Sequence, residues 1–288
     1  MVGSTAAAST LIRVDAHQHF WAYNPRDYTW MTDGMDALRR NYLPADLAPL
    51  LEASGVTGTV TVQARQSLEE TEWLLQLAGQ NRFVKGVVGW VDLCSPRVDG
   101  QLEKFAANPI LRGVRHVVQD EPDDRFMMRD DFRRGLGRLT RLGLTYDLLL
   151  FPRHLPVACE VVKQFPDQPF ALDHIAKPFI KSRTVEPWAN DLRRLAGCEN
   201  VFCKLSGMVT EADWHNWAPA DFRPYLDLVL ECFGTKRLMV GSDWPVCTLA
   251  GGYADVMRLV SDYIARLSPA EQADIAGNTA RKFYKIEM

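Results

Sequence analysis

The sequence predicts an α/β protein of the (β/α)8 TIM-barrel class. Short apolar runs, rich in β-branched residues, alternate eight times with longer runs whose apolar residues recur at helical spacing. Most of the short runs are continuously apolar, which is typical of parallel strands covered on both faces. Polar residues follow nearly every predicted strand, as expected where the active site of a barrel collects the carboxyl ends of many strands.

The predicted strands and helices alternate along about 250 residues, the usual length of such a barrel. The strands are Ile12–Asp15, Thr59–Gln63, Val84–Val91, Leu111–His116, Leu144–Leu149, Phe170–His174, Val201–Leu205 and Leu238–Gly241. The helices are Pro44–Ser54, Leu68–Gln80, Val98–Asn108, Asp130–Leu142, Leu155–Phe165, Glu186–Ala196, Ala220–Phe233 and Tyr253–Leu267. An extra C-terminal helix is predicted to begin at the capping sequence Ser268-Pro269-Ala270-Glu271 and to end near Tyr284.

We expect a single barrel domain over residues 11–288, preceded by a disordered tail of small residues over 1–10. An open, doubly wound sheet is the alternative architecture. It would concentrate the ligand-binding groups at one switch point, whereas here they follow many strands. The first strand also lacks the glycine-rich phosphate loop that would favour nucleotide binding.

Composition and charge restrict the function classes. Of the 288 residues, 47% are hydrophobic and 24% are charged, which is ordinary for a globular protein. The net charge of −3, from 33 basic and 36 acidic residues, disfavours a nucleic-acid partner. No apolar run approaches the ~18 residues of a membrane span. The six cysteines are scattered without a Cys-x-x-Cys pair, so we expect reduced thiols in a cytoplasmic protein.

His17 and His19 follow the first predicted strand. Residues two apart on an extended chain face the same side, so both imidazoles can grip one metal ion or one oxygen atom. His174 and Asp243 lie at the ends of the sixth and eighth strands, and in a closed barrel the eighth strand lies beside the first. Three neutral nitrogens and one carboxylate are a ligand set that suits zinc.

Four sequence motifs carry a resemblance to a known family. They are Asp15-Ala16-His17-Gln18-His19-Phe20-Trp21, Asp173-His174-Ile175-Ala176-Lys177-Pro178, Lys204-Leu205-Ser206-Gly207 and Gly241-Ser242-Asp243-Trp244-Pro245-Val246. In this order they resemble the amidohydrolase superfamily, and within it the sugar-lactonase branch of fuconolactonases and rhamnonolactonases. Residues 112–121 are similar to the fuconolactonase-like members. The resemblance extends from about Val14 to Tyr284.

Two departures from the wider superfamily bear on the metal. Members with two metal ions carry a carboxylated lysine at the end of strand four, where this sequence has Arg115-His116. Strand five ends in Leu148-Leu149-Leu150, without a histidine. We therefore expect one divalent ion such as zinc, held by the three histidines and Asp243, or no metal. The lactonase branch implies that no cofactor is required, since a lactone needs less help from a Lewis acid than an amide.

The resemblance implies hydrolysis of a small sugar-acid lactone, with L-fuconolactone as the preferred substrate. We expect Asp243 to accept a proton from the attacking water. The three histidines polarise the lactone carbonyl or hold the metal, and Arg115 or His116 meets the developing oxyanion charge. The residues expected to contact substrate are Trp21, Arg65, Arg115, His116, Gln119, Tyr146, Lys177 and Trp244.

Three alternatives stay open. A dicarboxylate-lactone hydrolase predicts several arginines in the pocket, of which Arg65 and Arg115 supply two. A decarboxylase on the same barrel predicts an obligate metal. A binding protein without activity has no need of the general base that Asp243 offers. The sequence indicates no partner beyond the small molecule and leaves ring size and oligomeric state open.

Overall fold

The computed structural model describes residues 11–288 and contains eight parallel strands in one sheet. The strands are β1 (Val14–Gln18), β2 (Gly58–Val62), β3 (Val84–Gly89), β4 (Leu111–His116), β5 (Thr145–Leu148), β6 (Phe170–Leu172), β7 (Val201–Leu205) and β8 (Leu238–Val240). Each strand pairs with the next one along the chain, and β1 lies against β8. The sheet is therefore a nearly closed barrel, as predicted, and the open-sheet alternative is wrong.

Helices alternate with the strands. They are α1 (Pro44–Ser54), α2 (Leu68–Gln80), α3 (Val98–Ala106), α4 (Asp130–Leu139), α5 (Leu155–Gln164), α6 (Trp188–Ala196), α7 (Pro219–Phe233) and α8 (Tyr253–Ile264). The predicted C-terminal helix follows as α9 (Pro269–Ala273), a π-helical turn (Asp274–Asn278) and α10 (Thr279–Tyr284). Within residues 11–288, no helix combines the length and the apolar character needed to span a membrane.

Predicted and observed strand boundaries differ near the candidate functional residues. β1 continues to Gln18 instead of ending at Asp15, so His17 lies inside the strand. β6 ends at Leu172 instead of reaching His174, and the chain leaves it in a tight turn. The predicted disordered tail over 1–10 lies outside the described residues.

The C-terminal segment closes the amino-terminal end of the barrel. Phe283, Tyr284 and Ile286 are buried in one cluster with apolar side chains of the strands. Gly58, the first residue of β2, leaves room for this segment, since a Cβ there would lie 2.8 Å from Cε of Met288. With the amino end filled, the carboxyl ends of the strands form the face where a barrel binds its ligands.

Candidate active site

The barrel closes between β1 and the chain that follows β8, and this closure positions Asp243. The N–H of Asp243 donates to the carbonyl of His17 at 2.8 Å, and the N–H of His19 donates to the carbonyl of Trp244 at 2.7 Å. Asp243 has a φ of +56°, in the left-handed region that costs a non-glycine residue about 1–2 kcal/mol. The hydrogen bonds on both sides hold it in this conformation.

An irregularity in β1 brings both of its histidines to the same carboxylate. The register of β1 against β2 shifts within the strand. Gln18 hydrogen-bonds to Thr61 of β2, whereas the flanking His17 and His19 lie with their Nε2 atoms 3.1 Å apart. These two atoms lie 3.7 and 3.3 Å from Oδ1 of Asp243. The predicted pair of imidazoles therefore meets the predicted aspartate.

His174 reaches this carboxylate from a left-handed turn after β6. Four consecutive residues, His174–Lys177, have φ between +50° and +59°. Nε2 of His174 lies 3.8 Å from Oδ1 of Asp243, and its Nδ1 lies 2.9 Å from the hydroxyl of Ser206. Gly207 packs against the ring so closely that a Cβ there would collide with the imidazole. The structure thus brings together all four residues that were predicted to carry the chemistry.

The hydrogen-bond partner at Nδ1 determines whether Nε2 of His19 and of His174 presents a lone pair or an N–H to the cavity. Nδ1 of His19 lies 2.8 Å from the carbonyl oxygen of Val62, which only accepts, so Nδ1 carries the hydrogen and Nε2 presents a lone pair. Neutral His19 therefore cannot donate a hydrogen bond to a substrate carbonyl. The Ser206 hydroxyl both donates and accepts, so His174 can present either a lone pair or an N–H at Nε2.

Burial keeps the imidazoles of His174 and His17 neutral at neutral pH, while Asp243 stays ionised. Desolvation lowers the pKa of His174 to about 4, although the Asp243 carboxylate opposes this shift. It also lowers the pKa of His17 well below its ordinary value. Burial alone would raise the pKa of Asp243, but the neighbouring imidazoles, His174 first among them, hold that pKa below its usual range.

Three of these residues, His17, His19 and Asp243, form a donor set for one divalent cation. The ligand atoms of His17, His19 and Asp243 all lie within 4.8 Å of one another. The Nε2 atoms of His17 and His19 lie 3.1 Å apart, so a hydrogen on His17 Nε2 or a bound cation can take the lone pair of His19 Nε2. Imidazole nitrogens with a carboxylate oxygen are ligands that zinc takes in proteins. The residues present therefore fit a zinc ion.

A second group of buried charges, which we call the inner ion cluster, consists of Lys204, Asp147 and Asp173. Lys204 pairs with both carboxylates, and its Nζ lies 3.1 Å from Nδ1 of His17. Nη1 of Arg115 bonds to Asp173 at 3.0 Å and lies 3.4 Å from Nε2 of His17. The cluster therefore supports His17, and with it the candidate site.

A cavity of about 550 Å³ opens at the carboxyl ends of the strands. An apolar part of its wall comes from the loops after β1 and β8, with Trp30, Met35, Val246 and Leu249. The charged side chains of the wall, apart from histidines, are Asp27, Arg65, Arg115, Asp120, Lys177, Glu211 and Asp243. A volume of this size is usual for the binding site of a small molecule.

Most of the predicted site residues line this cavity. They are His19, Arg65, Arg115, Gln119, His174, Lys177 and Asp243. His17 is fully buried beside them. Arg65 is paired with Asp27 at 2.9 Å on the cavity wall. The amide oxygen of Gln119 is buried and bonds to nothing within residues 11–288, so it can accept from a substrate hydroxyl.

The two tryptophans that were predicted to stack on substrate are packed in the core instead. Trp21 is fully buried, and its indole N–H donates to the carbonyl of Leu38. Trp244 is buried edge-on against Tyr42. Neither ring lines the cavity; the tryptophans that line it are Trp30 and Trp214. The expectation of a substrate contact is corrected for Trp21 and Trp244.

Tyr146 and His116 also face away from the cavity. Successive residues of a strand point to opposite faces, and Arg115 and Asp147 contact groups inside the barrel. Tyr146 is consequently buried between the sheet and α4. His116 bonds to Glu121 at 2.6 Å outside the cavity wall. Because of this orientation, neither residue is kept as a substrate or oxyanion contact.

Glu70 supports the cavity and was missed in the sequence. Its buried carboxylate accepts hydrogen bonds from the N–H groups of Ala64 and Arg65 and from the hydroxyl of Tyr28. Desolvation raises its pKa to about 7 in spite of these donors. It thereby orders the loop after β2 that carries Arg65. An acidic residue in the first turn of a helix is common, so no sequence signal marked this role.

Comparison with known proteins confirms the resemblance seen in the motifs. Residues 14–286 match the family model described as amidohydrolase. Proteins called L-fucono-1,5-lactonase from Burkholderia multivorans and Burkholderia ambifaria are 41% and 39% identical over 286 and 281 residues, with 96% of each chain covered in both comparisons. A crystal structure of an amidohydrolase from Burkholderia multivorans with bound zinc is 41% identical, with a TM-score of 0.92 over 96% of this chain and 100% of that one. With this match across the barrel and its strand-end residues, the chain belongs to the amidohydrolase family.

Proposed function

We propose that the protein hydrolyses a small sugar-acid lactone of the L-fuconolactone kind to the open hydroxy acid. The observation that carries this proposal is an ionised carboxylate, Asp243, which borders a cavity sized for one small molecule and is surrounded by three imidazoles. The 41% identity to a protein called L-fucono-1,5-lactonase supports this substrate class.

Asp243 is the general base of the proposed reaction. Water that attacks a lactone carbonyl must lose a proton as the new C–O bond forms, and a positioned carboxylate can take it. The backbone hydrogen bond from Asp243 to His17 fixes the position of this carboxylate. Its low pKa keeps it ionised across the physiological range.

His174 and Arg115 polarise the substrate carbonyl. His174 donates from Nε2 when the Ser206 hydroxyl donates to its Nδ1. Arg115 lines the cavity and carries a positive charge. Donors placed at the developing oxyanion stabilise the tetrahedral intermediate more than the ground state. His19, whose Nε2 bears no hydrogen when neutral, does not act in this way.

The three histidines and Asp243 would hold a zinc ion at the same place. When bound, zinc polarises a carbonyl as a Lewis acid and lowers the pKa of a bound water. The donor set supports this site, and the 41% identical amidohydrolase crystal structure contains zinc. We propose that the ion is not required for turnover, because His174 and Arg115 supply donors of the protein's own.

The charges of the cavity wall favour a neutral polyhydroxy lactone over a dicarboxylate. Both arginines of the wall are already paired, Arg65 with Asp27 and Arg115 with Asp173. Four carboxylates and three non-histidine cations line the cavity. Carboxylates accept hydrogen bonds from sugar hydroxyls and repel a second anion. The dicarboxylate alternative is therefore disfavoured.

The proposal is tested by proton release in weak buffer from a panel of sugar 1,4- and 1,5-lactones. Chelator-treated protein is compared with protein supplied with zinc. We expect rapid release from L-fucono-1,5-lactone or a close L-sugar relative in both preparations. Release from no lactone in either preparation would contradict the proposal and direct the search to decarboxylation and to dicarboxylate lactones.

A further inference from the structure

We propose that Lys177 is a further catalytic residue, whose ammonium group donates a hydrogen bond and then a proton to the ring oxygen of the lactone as the ring opens. This inference rests on the proposed lactonase function. It assigns a donor to the leaving oxygen, whereas the groups described above act on the water and the carbonyl.

Ring opening creates a second charge besides the oxyanion. When the tetrahedral intermediate collapses, the acyl C–O bond of the ring breaks and its electron pair stays on the ring oxygen. The resulting alkoxide is a strong base and a poor leaving group. A proton donor placed at this oxygen typically contributes about 10²–10⁴-fold to the rate.

Among the arginines and lysines of the cavity wall, Lys177 is the cation that no carboxylate holds closely. Arg65 and Arg115 are held by carboxylates at 2.9 and 3.0 Å. Nζ of Lys177 lies 3.9 Å from Oε1 of Glu211, and within residues 11–288 it makes no closer contact with a carboxylate. Its side chain is only 18% exposed. A shielded ammonium group with free N–H bonds at a substrate cavity is suited to donate to a substrate oxygen.

The backbone adopts an unusual conformation to place this lysine. All four residues of the turn His174–Lys177 have positive φ, and none of them is glycine. L-residues adopt this region rarely, and runs of them are rarer still. The N–H of Lys177 donates to the carbonyl of His174 at 2.8 Å, and the indole N–H of Trp188 donates to the carbonyl of Ile175 at 2.7 Å. Strain that the surroundings maintain at a cavity points to a function for the residues it orients.

The turn couples Lys177 to His174. Ile175 and Ala176, in its middle, are fully buried, while His174 and Lys177 at its two ends both line the cavity. An extended chain would separate these two residues by about 10 Å and point their side chains to opposite faces. The left-handed turn instead presents both side chains to one substrate.

Glu211 keeps the ammonium group at the cavity. It belongs to the short helical turn after β7, and its carbonyl accepts the N–H of Lys181, which ties this loop to the loop after β6. Burial raises the pKa of Glu211, whereas the charge of Lys177 lowers it. The carboxylate is thus an electrostatic partner that leaves the N–H bonds of Lys177 free.

The step balances with water and the groups described. Asp243 takes one proton from water as the water oxygen bonds to the carbonyl carbon. The ring C–O bond then breaks, and the ring oxygen takes a proton from Lys177, which becomes a neutral amine. The new carboxylic acid and Asp243 each release a proton, one of which restores Lys177. The net reaction is lactone plus water to hydroxycarboxylate plus one proton.

The test uses Lys177→Gly, with Lys181→Ala as the matched control. Glycine adopts a φ near +50° without strain, so the thermal midpoint of Lys177→Gly should equal or exceed that of the wild type. We expect kcat for L-fucono-1,5-lactone to fall about 10²–10³-fold, with KM changed less than about threefold. Added ethylammonium should restore much of the lost kcat. Lys181, whose side chain is 69% exposed, should be replaceable without loss and without a response to the amine.

Two results would overturn the inference while leaving the proposed function intact. One is a raised KM with unchanged kcat in Lys177→Gly, which would make Lys177 a binding residue. The other is a loss of kcat that ethylammonium leaves unchanged. A wild-type protein that opens no lactone would overturn the proposed function and this inference together.

Discussion

Two groups of buried charges lie next to each other in this barrel, and they differ in how their charges are compensated. In the inner ion cluster, Lys204 pairs with both Asp147 and Asp173, and the hydroxyl of Tyr284 donates to Asp147. Asp243 has histidines as its neighbours and borders the cavity. The charges of the inner ion cluster are compensated by ion pairs, whereas the group around Asp243 borders the cavity and can bind a water, a metal or a substrate.

For Asp147 and Asp243, position along the strand separates a carboxylate that stabilises the fold from one that is available for chemistry, because residue type and burial are nearly the same for both. Asp147 has no exposed surface and Asp243 only 4%. Asp147 lies within β5, however, and Asp243 lies three residues beyond the end of β8. The carboxylate within the strand is compensated by Lys204, and the carboxylate beyond the strand end borders the ligand cavity.

Removing the cation of the inner ion cluster should give the largest change in stability. Lys204→Met leaves Asp147 and Asp173 buried without their shared partner, so we expect the free energy of unfolding to fall by about 3–5 kcal/mol. Denaturant titration measures it. Lys236→Met, at an exposed position before β8, is the control and should change it by less than about 0.5 kcal/mol. A Lys204→Met protein as stable as the wild type would contradict the claim that the ion pairs of the inner ion cluster stabilise the fold.

Glu70 is a third kind of buried carboxylate. Unlike Asp147, which is paired with a cation, it accepts its hydrogen bonds from neutral groups. Its pKa of about 7 in the folded state lies above the ordinary 4.5, so the folded state binds more protons and its stability falls as the pH rises from about 4.5 to 7. Glutamine accepts the same N–H bonds without ionising. Relative to wild type, Glu70→Gln should therefore gain about 2.5 kcal/mol in unfolding free energy between pH 5 and pH 8.

Denaturant titrations of the Glu70→Gln protein at these two pH values test the expectation. Glu69→Gln, one residue away and exposed, serves as the control and should not show the same gain. An equal stability difference from wild type at both pH values would mean that Glu70 is ionised throughout the range.

Tyr146→Phe should have the smallest effect. The hydroxyl is buried and bonds to nothing within residues 11–288. Its removal should leave kcat and KM unchanged. The unfolding free energy should stay the same or rise by up to about 1 kcal/mol. Tyr284→Phe, which loses the hydrogen bonds to Asp147, should instead destabilise the protein. A tenfold fall in kcat/KM for Tyr146→Phe would show instead that the hydroxyl of Tyr146 contributes to substrate binding or catalysis.

The strand ends were the part of the site that the sequence could predict. His174 and Asp243 lie at the ends of apolar runs, the histidine pair follows another, and a barrel brings such ends to one face. The family could be predicted as well, because the motifs that carry the resemblance contain these strand-end residues. The location of the site and the family could both be inferred from the order of the strands and the identity of the residues that follow them.

Side-chain direction and loop path could not be predicted. His116 and Arg115 are adjacent, and a difference of one residue moves a side chain to the other face of the sheet. The turn His174–Lys177 contains no glycine that would have signalled its left-handed backbone. Whether Trp21 or Trp30 meets the cavity depends on the course of the loop after β1, which hydrophobic periodicity does not encode.

The role of Asp243 is tested most directly by the kcat of Asp243→Asn for opening of L-fucono-1,5-lactone, measured beside Asp167→Asn. Asp167 supplies an exposed carboxylate outside the cavity lining and should be replaceable without loss of activity. We expect Asp243→Asn to lose at least about a thousandfold in kcat while it remains folded. A near-wild-type kcat in Asp243→Asn would contradict its assignment as the general base.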